Sequence, residues 1–390
     1  MISFEEALNV ILGNAPLLKT VEVPLTESYN RVLAEDILAD VDMPSFNKSA
    51  VDGFACKNPV EGSQLKIRET ISAGTSPEYS VSEGYCSKIM TGAPVPEGAN
   101  WIVMVEHTNI TEEGTVQILK KGKKPNIATK AEDFKKGDKI VSAGTLLKPQ
   151  HIPILASVGK VKPLVYDLPS VSLITTGDEL VEPENIPGSG QIRNTNASQL
   201  MSQFGNIGIK PVYQGIIKDE EHNLLEKIKD SVNNYDLTVL TGGVSMGDYD
   251  YVPHIMKKAG VEILFHNIAM KPGKPTIFGK YERNLVIGLP GNPVSTFLQF
   301  ELLIKPMVVK MMGGEHKAVA IKMPLGEYVK SKKEERESWK PVYIENGQVF
   351  TLPYHGSGHF HALNKAEGFI RIPAEQEKIE KGELVNVRQI

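Results

Sequence analysis

Three short stretches of this 390-residue sequence combine the residue types that hold phosphate-like anions and hard cations: TTGDEL at 175–180, TGGVSMGDYDY at 241–251 and LPGNPVS at 289–295. Each follows an apolar, β-branched run and precedes a helical pattern. Glycine lets the backbone turn tightly there, and the N–H groups of such turns and of helix starts bind anions. Thr176, Gly177, Gly242, Gly243, Ser245, Pro290, Gly291, Asn292, Pro293 and Ser295 are therefore candidate ligand contacts. Glu179, Asp248 and Asp250 sit in the same loops, and carboxylates beside phosphate oxygens suit Mg²⁺. For Asp178 and Asp248 a capping role stays open, and Asp219 stands where a helix N-cap is expected, so a structural and a functional reading coexist there.

Further groups stand on rigid Pro/Gly turns. KPGKP, 271–275, restrains Lys271 and Lys274 between apolar segments; SAVDGFA sets Asp52 among small residues; MTGAPVPEGA puts Thr91 before another stiff loop. YHGSGHFH places Ser357 between glycines with His355, His359 and His361 around it, and no neighbouring carboxylate or cysteine completes a zinc set. The dinucleotide fingerprint GxGxxG, the Walker A loop, HExxH and the GxSxG elbow are absent, which weighs against hydride transfer, P-loop chemistry and α/β-hydrolase chemistry.

The elements that must carry these loops are legible as patterns. From about 168 to 314 strands and helices alternate: VSLITTG, a helix after Asn194 ending at Gly205, KPVYQGII, a helix after Asp219, DLTVLTGG, VPHIMKKAG, LVIGLPG and the long VSTFLQFELLIKPMVVKMM. Such alternation predicts a doubly wound parallel sheet with helices on both faces, whose ligands gather beyond the carboxyl ends of the strands. Ser3 and Glu6 form a capping box for an N-terminal helix with Phe4, Leu8, Ile11 and Leu12 on one side. Residues 40 to about 137 read as a β-rich region, HIPILASVG as a helix, and the stretch after Gly313-Gly314 as a small β-barrel whose clearest turn is Asn346-Gly347.

Composition narrows the function classes. Forty-three basic against forty-seven acidic residues, net −4, argue against nucleic acid as a partner. No apolar stretch is long enough to span a membrane, and the acidic opening MISFEEALNV lacks the basic start of a secretory signal, so a cytoplasmic protein is expected. Cys56 and Cys86 match neither a disulfide framework nor a zinc motif.

Taken in order, SAVDGFA, MTGAPVP, TTGDEL, TGGVSMGDYDY, KPGKP and GLPGNPVS make the sequence resemble the molybdopterin molybdenumtransferase (MoeA) family, related to the molybdenum-cofactor domain of gephyrin, over essentially the whole chain. The resemblance implies a homodimer of four-domain subunits. These are a linker domain (20–38 and 138–167), an inserted β-rich domain (39–137), a molybdopterin-binding α/β domain (1–19 and 168–314) and a C-terminal β-barrel (315–390). It implies insertion of molybdate into adenylylated molybdopterin with Mg²⁺ and release of AMP. A MogA-like adenylyltransferase and recipient molybdoenzymes would be partners.

By the same resemblance Glu179, Asp219 and Asp250 are the acidic groups at the adenylate and metal, with Asp248 nearby. Asp52 and Thr91 close the cleft from the partner subunit. Lys271, Lys274 and Ser295 bind molybdate, joined by Arg336 and Ser357 of the C-terminal domain. The chain departs from the pattern in having Ala128 for an arginine, Ala131 for a glycine and Asn267 for a lysine, two positive charges fewer, with Lys130 as a candidate replacement. Adenylylation of molybdopterin and a non-catalytic scaffold are the alternatives; the inserted and barrel domains favour insertion.

Overall fold

The computed structural model describes residues 1–111, 114–244, 252–331, 335–353 and 360–390. The chain divides into two compact units, one of residues 1–35, 144–149 and 162–390 and the other of residues 36–143 and 150–161. The segments 20–38 and 138–167 are divided between them. Thr20–Glu22 pairs with Leu164–Tyr166 in the first unit, and Ile37–Leu38 with Lys139–Val141 in the second.

At the centre of the first unit lies a six-stranded sheet in the order Val212–Ile217, Val171–Thr176, Leu237–Thr241, Asn284–Leu289, Ile277–Tyr281, Glu262–His266. The first four strands are parallel, with Val171 opposite Leu237 and Leu237 opposite Leu285. Ile277–Tyr281 runs antiparallel to both its neighbours, a departure from a purely parallel sheet. PTIFGKYERNLVIG is one continuous hairpin around Glu282, which adopts φ 53°, and a hairpin reverses direction where a helical crossover would not. Val171–Thr176 and Leu237–Thr241 are buried along their whole length, as strands covered on both faces must be.

Helices supply that cover. The N-terminal helix Phe4–Asn14 begins at Ser3, whose side chain accepts from Glu6 N–H while the Glu6 carboxylate accepts from Ser3 N–H at 2.8 Å. With Thr195–Asn206 and the helical stretch Pro293–Met311 it packs on one face of the sheet, around Ile11, Phe204, Leu298, Phe300 and Met307. Glu221–Asn234 and Val252–Lys258 cover the other face through Leu224, Ile228, Val252 and Ile255. The Pro293–Met311 stretch is not one regular helix: Phe300–Ile304 forms a π-helical turn just before Pro306. Proline lacks an N–H and crowds the carbonyl four residues back, so the widened turn absorbs it.

The C-terminal sheet runs in the order Met270–Lys271, Glu337–Glu345, Gly368–Ile372, Leu384–Gln389, Ala320–Pro324, with Gln348–Thr351 on Glu337–Glu345. A bridge between Leu325 and Val349 closes it around Val342, Val349, Ile370 and Val387. The hairpin turn is Asn346-Gly347, both at positive φ, as a two-residue connection demands.

In the second unit a six-stranded sheet runs Trp101–Met104, Gly53–Cys56, Tyr85–Ile89, Gln64–Ile71, Thr115–Ile118, Thr108–Ile110. The helix His151–Ser157 belongs to this unit. Cys56 and Cys86 are direct cross-strand neighbours, both buried as free thiols. Hydrogen bonding to Cys86 and burial push the Cys56 thiol up. Among the described residues no helix is long and apolar enough to cross a membrane.

Candidate functional site

The carboxyl ends of the parallel strands open into a cavity of about 890 Å³. Its walls include Thr176, Gly177 and Glu179 from the first loop, Gly242 and Gly243 from the second, and Pro290, Gly291, Asn292 and Pro293 from the third. The three glycine-containing loops picked out in the sequence thus meet at one edge of one sheet.

Two side-chain staples hold the loops in register. The Thr176 hydroxyl donates to Asp219 Oδ1, tying the end of one strand to its neighbour. Asp219 is not the N-cap of the following helix, which begins at Glu221 after Glu220; its N–H donates instead to Asp178 Oδ1 at 3.2 Å. The second staple is Asn196, whose Nδ2 donates to Thr241 Oγ1 at 2.9 Å and to the Gly291 carbonyl at 2.8 Å, joining the second and third loops. The buried Asn196 Oδ1 has no hydrogen-bond partner among the described residues. Thr296 fixes the third loop further by donating to the Pro290 carbonyl at 2.7 Å.

Close approach explains the glycine in the second loop. Gly242 has φ 98°, and a Cβ there would lie 2.1 Å from the Thr176 carbonyl oxygen, so no side chain fits without moving backbone. The Glu179 carboxylate folds back over Gly177, within 2.6 Å of where a Cβ would stand.

The cavity also contains groups that the motif reading missed. Asn194 caps the helix Thr195–Asn206 by accepting from Ala197 N–H and donates to Thr175 Oγ1 and Tyr213 Oη. Tyr213 in turn donates to Glu182 at 2.8 Å, and burial raises its phenol to about 12. Arg193 lines the wall with its Nε donating to the carbonyls of Pro183 and Asn185. An Asn before a helix was the available signal for Asn194; Arg193 and Asn196 had none beyond proximity.

Other candidates fall elsewhere. Ser295 is buried in its helix and does not line the cavity. Lys271 and Lys274 are exposed on the KPGKP turn. Gly273 has φ 108°, and its carbonyl accepts from Thr276 Oγ1 at 2.9 Å and Gln299 Nε2 at 2.6 Å. Pro275, at the end of this turn, lines the cavity. Met270 and Lys271 pair in parallel with Glu337 and Ser338, so the turn lies beside the strand that follows Arg336, itself half-buried.

In the second unit Asp52 and Thr91, far apart in sequence, come together. Asp52 Oδ1 accepts from Thr91 N–H at 2.7 Å and from its hydroxyl at 2.9 Å, which holds the Asp52 carboxyl below its ordinary pKa. Ala131 and Asn267 both adopt positive φ, at 62° and 75°. Lys130 is paired with Asp42 at 3.2 Å. Ser245, Asp248, Asp250, His355, Ser357 and His359 lie outside the described residues. Among the described residues no group of three or more His, Cys, Asp or Glu could hold a metal ion.

A second, smaller cavity of about 340 Å³ lies in the first unit, lined by Leu8, Leu12, Pro306, Lys310, His316 and Arg388 among others. Burial, with the charges of Arg388 and Lys305, pushes the His316 imidazole down to about 4.

Comparison with known proteins covers nearly the whole chain. Residues 2–159 match the family described as MoeA N-terminal region (domain I and II), residues 172–310 the "Probable molybdopterin binding domain", and residues 322–390 the MoeA C-terminal region (domain IV). The molybdopterin molybdenumtransferase of Staphylococcus aureus (strain COL) is 35% identical over 320 residues, 80% of this chain and 76% of that protein. The protein of the same name from Staphylococcus epidermidis is 32% identical over 99% of this chain and 95% of its own length. The crystal structure of the molybdopterin biosynthesis moeA protein from Pyrococcus horikoshii OT3 superposes with a TM-score of 0.84 at 31% identity, covering 100% of both chains. With three family regions matched in order along nearly its whole length and relatives of 32–35% identity, the chain belongs to the molybdopterin molybdenumtransferase (MoeA) family.

Proposed function

We infer that this chain is a transferase of molybdenum cofactor biosynthesis that inserts molybdate into adenylylated molybdopterin and releases AMP. The observation that carries the reading is the convergence of three strand-end loops on one cavity bearing Glu179 and Asp219. Backbone N–H groups and the helix starting at Pro293 suit the phosphoanhydride of such a substrate, and the glycine walls let it approach closely.

Glu179 and Asp219 are hard oxygen donors fit for Mg²⁺, which commonly takes one or two carboxylates and completes its shell with phosphate oxygens and water. Bound there, the ion would neutralise charge on the phosphoanhydride; Asp248 and Asp250 are the further carboxylates assigned to it. Asp219 holds the Thr176 hydroxyl, and Asn196 keeps the second and third loops at a fixed separation. Lys271, Lys274 and Arg336, with Ser295 and Ser357, are assigned to the incoming oxyanion.

The enzyme acts as a cytoplasmic homodimer, with the Asp52–Thr91 pair of one chain serving the cavity of the other. Two adjacent, unbonded thiols suit a reducing compartment. A MogA-like adenylyltransferase supplies its substrate and molybdoenzymes receive its product.

The test is AMP release on adding molybdate to protein supplied with molybdopterin-AMP and Mg²⁺. The parent should release AMP in a molybdate-dependent manner, Asp52→Ala and Glu179→Ala chains alone should not, and mixing the two should restore part of the activity through hybrid dimers. A parent that releases no AMP refutes the function; variants that fail to complement refute the shared site.

A further inference from the structure

Arg193 is held in place from both sides. Its neighbours Ile192 and Asn194 donate their N–H groups to the carbonyls of Glu179 and Val181, each at 2.8 Å. Ile192–Arg193 thus runs parallel to Leu180–Val181, directly beside the loop that carries Glu179. The side chain is fixed as well. A guanidinium is flat and rigid, with one N–H on Nε and two on each Nη. The Nε–H is shared between the Pro183 carbonyl at 2.9 Å and the Asn185 carbonyl at 3.1 Å. The tip of the fork, formed by the two Nη atoms, points away from those carbonyls. Its N–H groups make no hydrogen bond or ion pair among the described residues.

The cavity that this residue lines is short of positive charge. Among the described residues of its wall, Glu179 and Asp219 carry carboxylates, and Arg193 is the single cationic side chain. The KPGKP turn reaches the wall with Pro275 and not with its lysines. A phosphate group entering beside two carboxylates meets repulsion that cations must offset. A divalent ion can answer for the carboxylates. The remaining charge calls for a donor that matches phosphate oxygens two at a time, which a guanidinium does and an ammonium does not.

We propose that Arg193 contacts a phosphate group of the nucleotide-bearing ligand, binding two of its oxygens through Nη1 and Nη2 while Nε keeps the 183–185 loop in place. The proposal rests on the reading of this cavity as the adenylate site. It adds a cation that none of the three glycine-containing loops provides.

Calorimetric titration of the full-length protein in Mg²⁺ buffer with AMP, and in parallel with adenosine, tests it on the parent and on Arg193→Gln. Adenosine has the same base and sugar without the phosphate, so the ratio of the two affinities isolates the phosphate contact. Glutamine keeps an N–H for the Pro183 and Asn185 carbonyls and removes the charge. The parent should bind AMP about tenfold or more tighter than adenosine, the worth of one charge-assisted contact. Arg193→Gln should lose about tenfold in AMP affinity, with adenosine affinity within about twofold of the parent. A role confined to holding the 183–185 loop would move both affinities together. An equal loss for both ligands, or a variant that keeps the parent's preference for AMP, overturns the assignment of Arg193 while leaving the function standing. A parent that binds neither ligand overturns the adenylate reading of the cavity and this assignment together.

Discussion

Around the cavity, position is set by backbone: Gly242 passes against the Thr176 carbonyl, and Asn196 and Asp219 tie adjoining strand ends together. Along the seam with the C-terminal sheet, position is set by register: Lys271 stands opposite Ser338, two residues from Arg336, only because Met270 is paired with Glu337. The first kind of site tolerates little change in the shape of its backbone. The second tolerates changes of shape at the tips of long side chains and little change in charge. An enzyme that handles a large nucleotide-bearing substrate and a small dianion has use for both.

The largest effect should come from backbone at the cavity. Gly242→Ala places a methyl 2.1 Å from a carbonyl oxygen at φ 98°, and should cost about 2–4 kcal/mol of stability or abolish folding. Chemical denaturation measures it; a loss under about 0.5 kcal/mol would show that the loop yields and that the cavity is not backbone-built.

A pair of charge changes should then separate the two regions. Asp219→Asn keeps an acceptor for Thr176 but removes a charge, and should slow AMP release about a hundredfold with the molybdate requirement unchanged. Arg336→Ala should do the reverse, raising the molybdate needed by about ten- to a hundredfold while nucleotide affinity holds. Steady-state assays over a molybdate series read both, and identical profiles for the two variants would erase the distinction.

The smallest effect concerns cations crowded where no substrate is assigned. His316 has its pKa lowered to about 4 from 6.5, so the unfolded chain binds its proton more readily than the folded one. Its contribution is present in full above pH 6.5 and is lost as the pH falls toward 4, amounting to about 1–2 kcal/mol after allowance for solvent screening. Denaturation curves across that window should show the decline in the parent and less of it in His316→Gln. An equal decline in both would remove His316 as its source.

Much of this was legible before any coordinates. Glycine loops after apolar runs, the capping box at Ser3 and the Asn346-Gly347 turn are local chemistry, so TTGDEL, TGG and LPGNP could be placed at strand ends from sequence alone. The reversed strand Ile277–Tyr281 and its neighbour Glu262–His266 were not, because the alternation of strands and helices points to parallel strands only and left both segments unassigned. Asn196 was not legible either. An asparagine within a helix is ordinary by type, and only the partners that folding brings to it give it a role. Asp219 shows the converse: its place before a helix suggested a cap, and the structure joins it to Thr176 instead.

The short pairing of Met270–Lys271 with Glu337–Glu345 also bears on the order in which the parts come into being. Apart from Phe360, the residues lining the cavity lie between Thr176 and Pro293. Lys271, by contrast, waits for a strand that leaves the ribosome some sixty-odd residues later. During synthesis the three strand-end loops therefore leave the ribosome before the strand that fixes Lys271 beside the C-terminal sheet, and before Phe360, which closes the cavity wall.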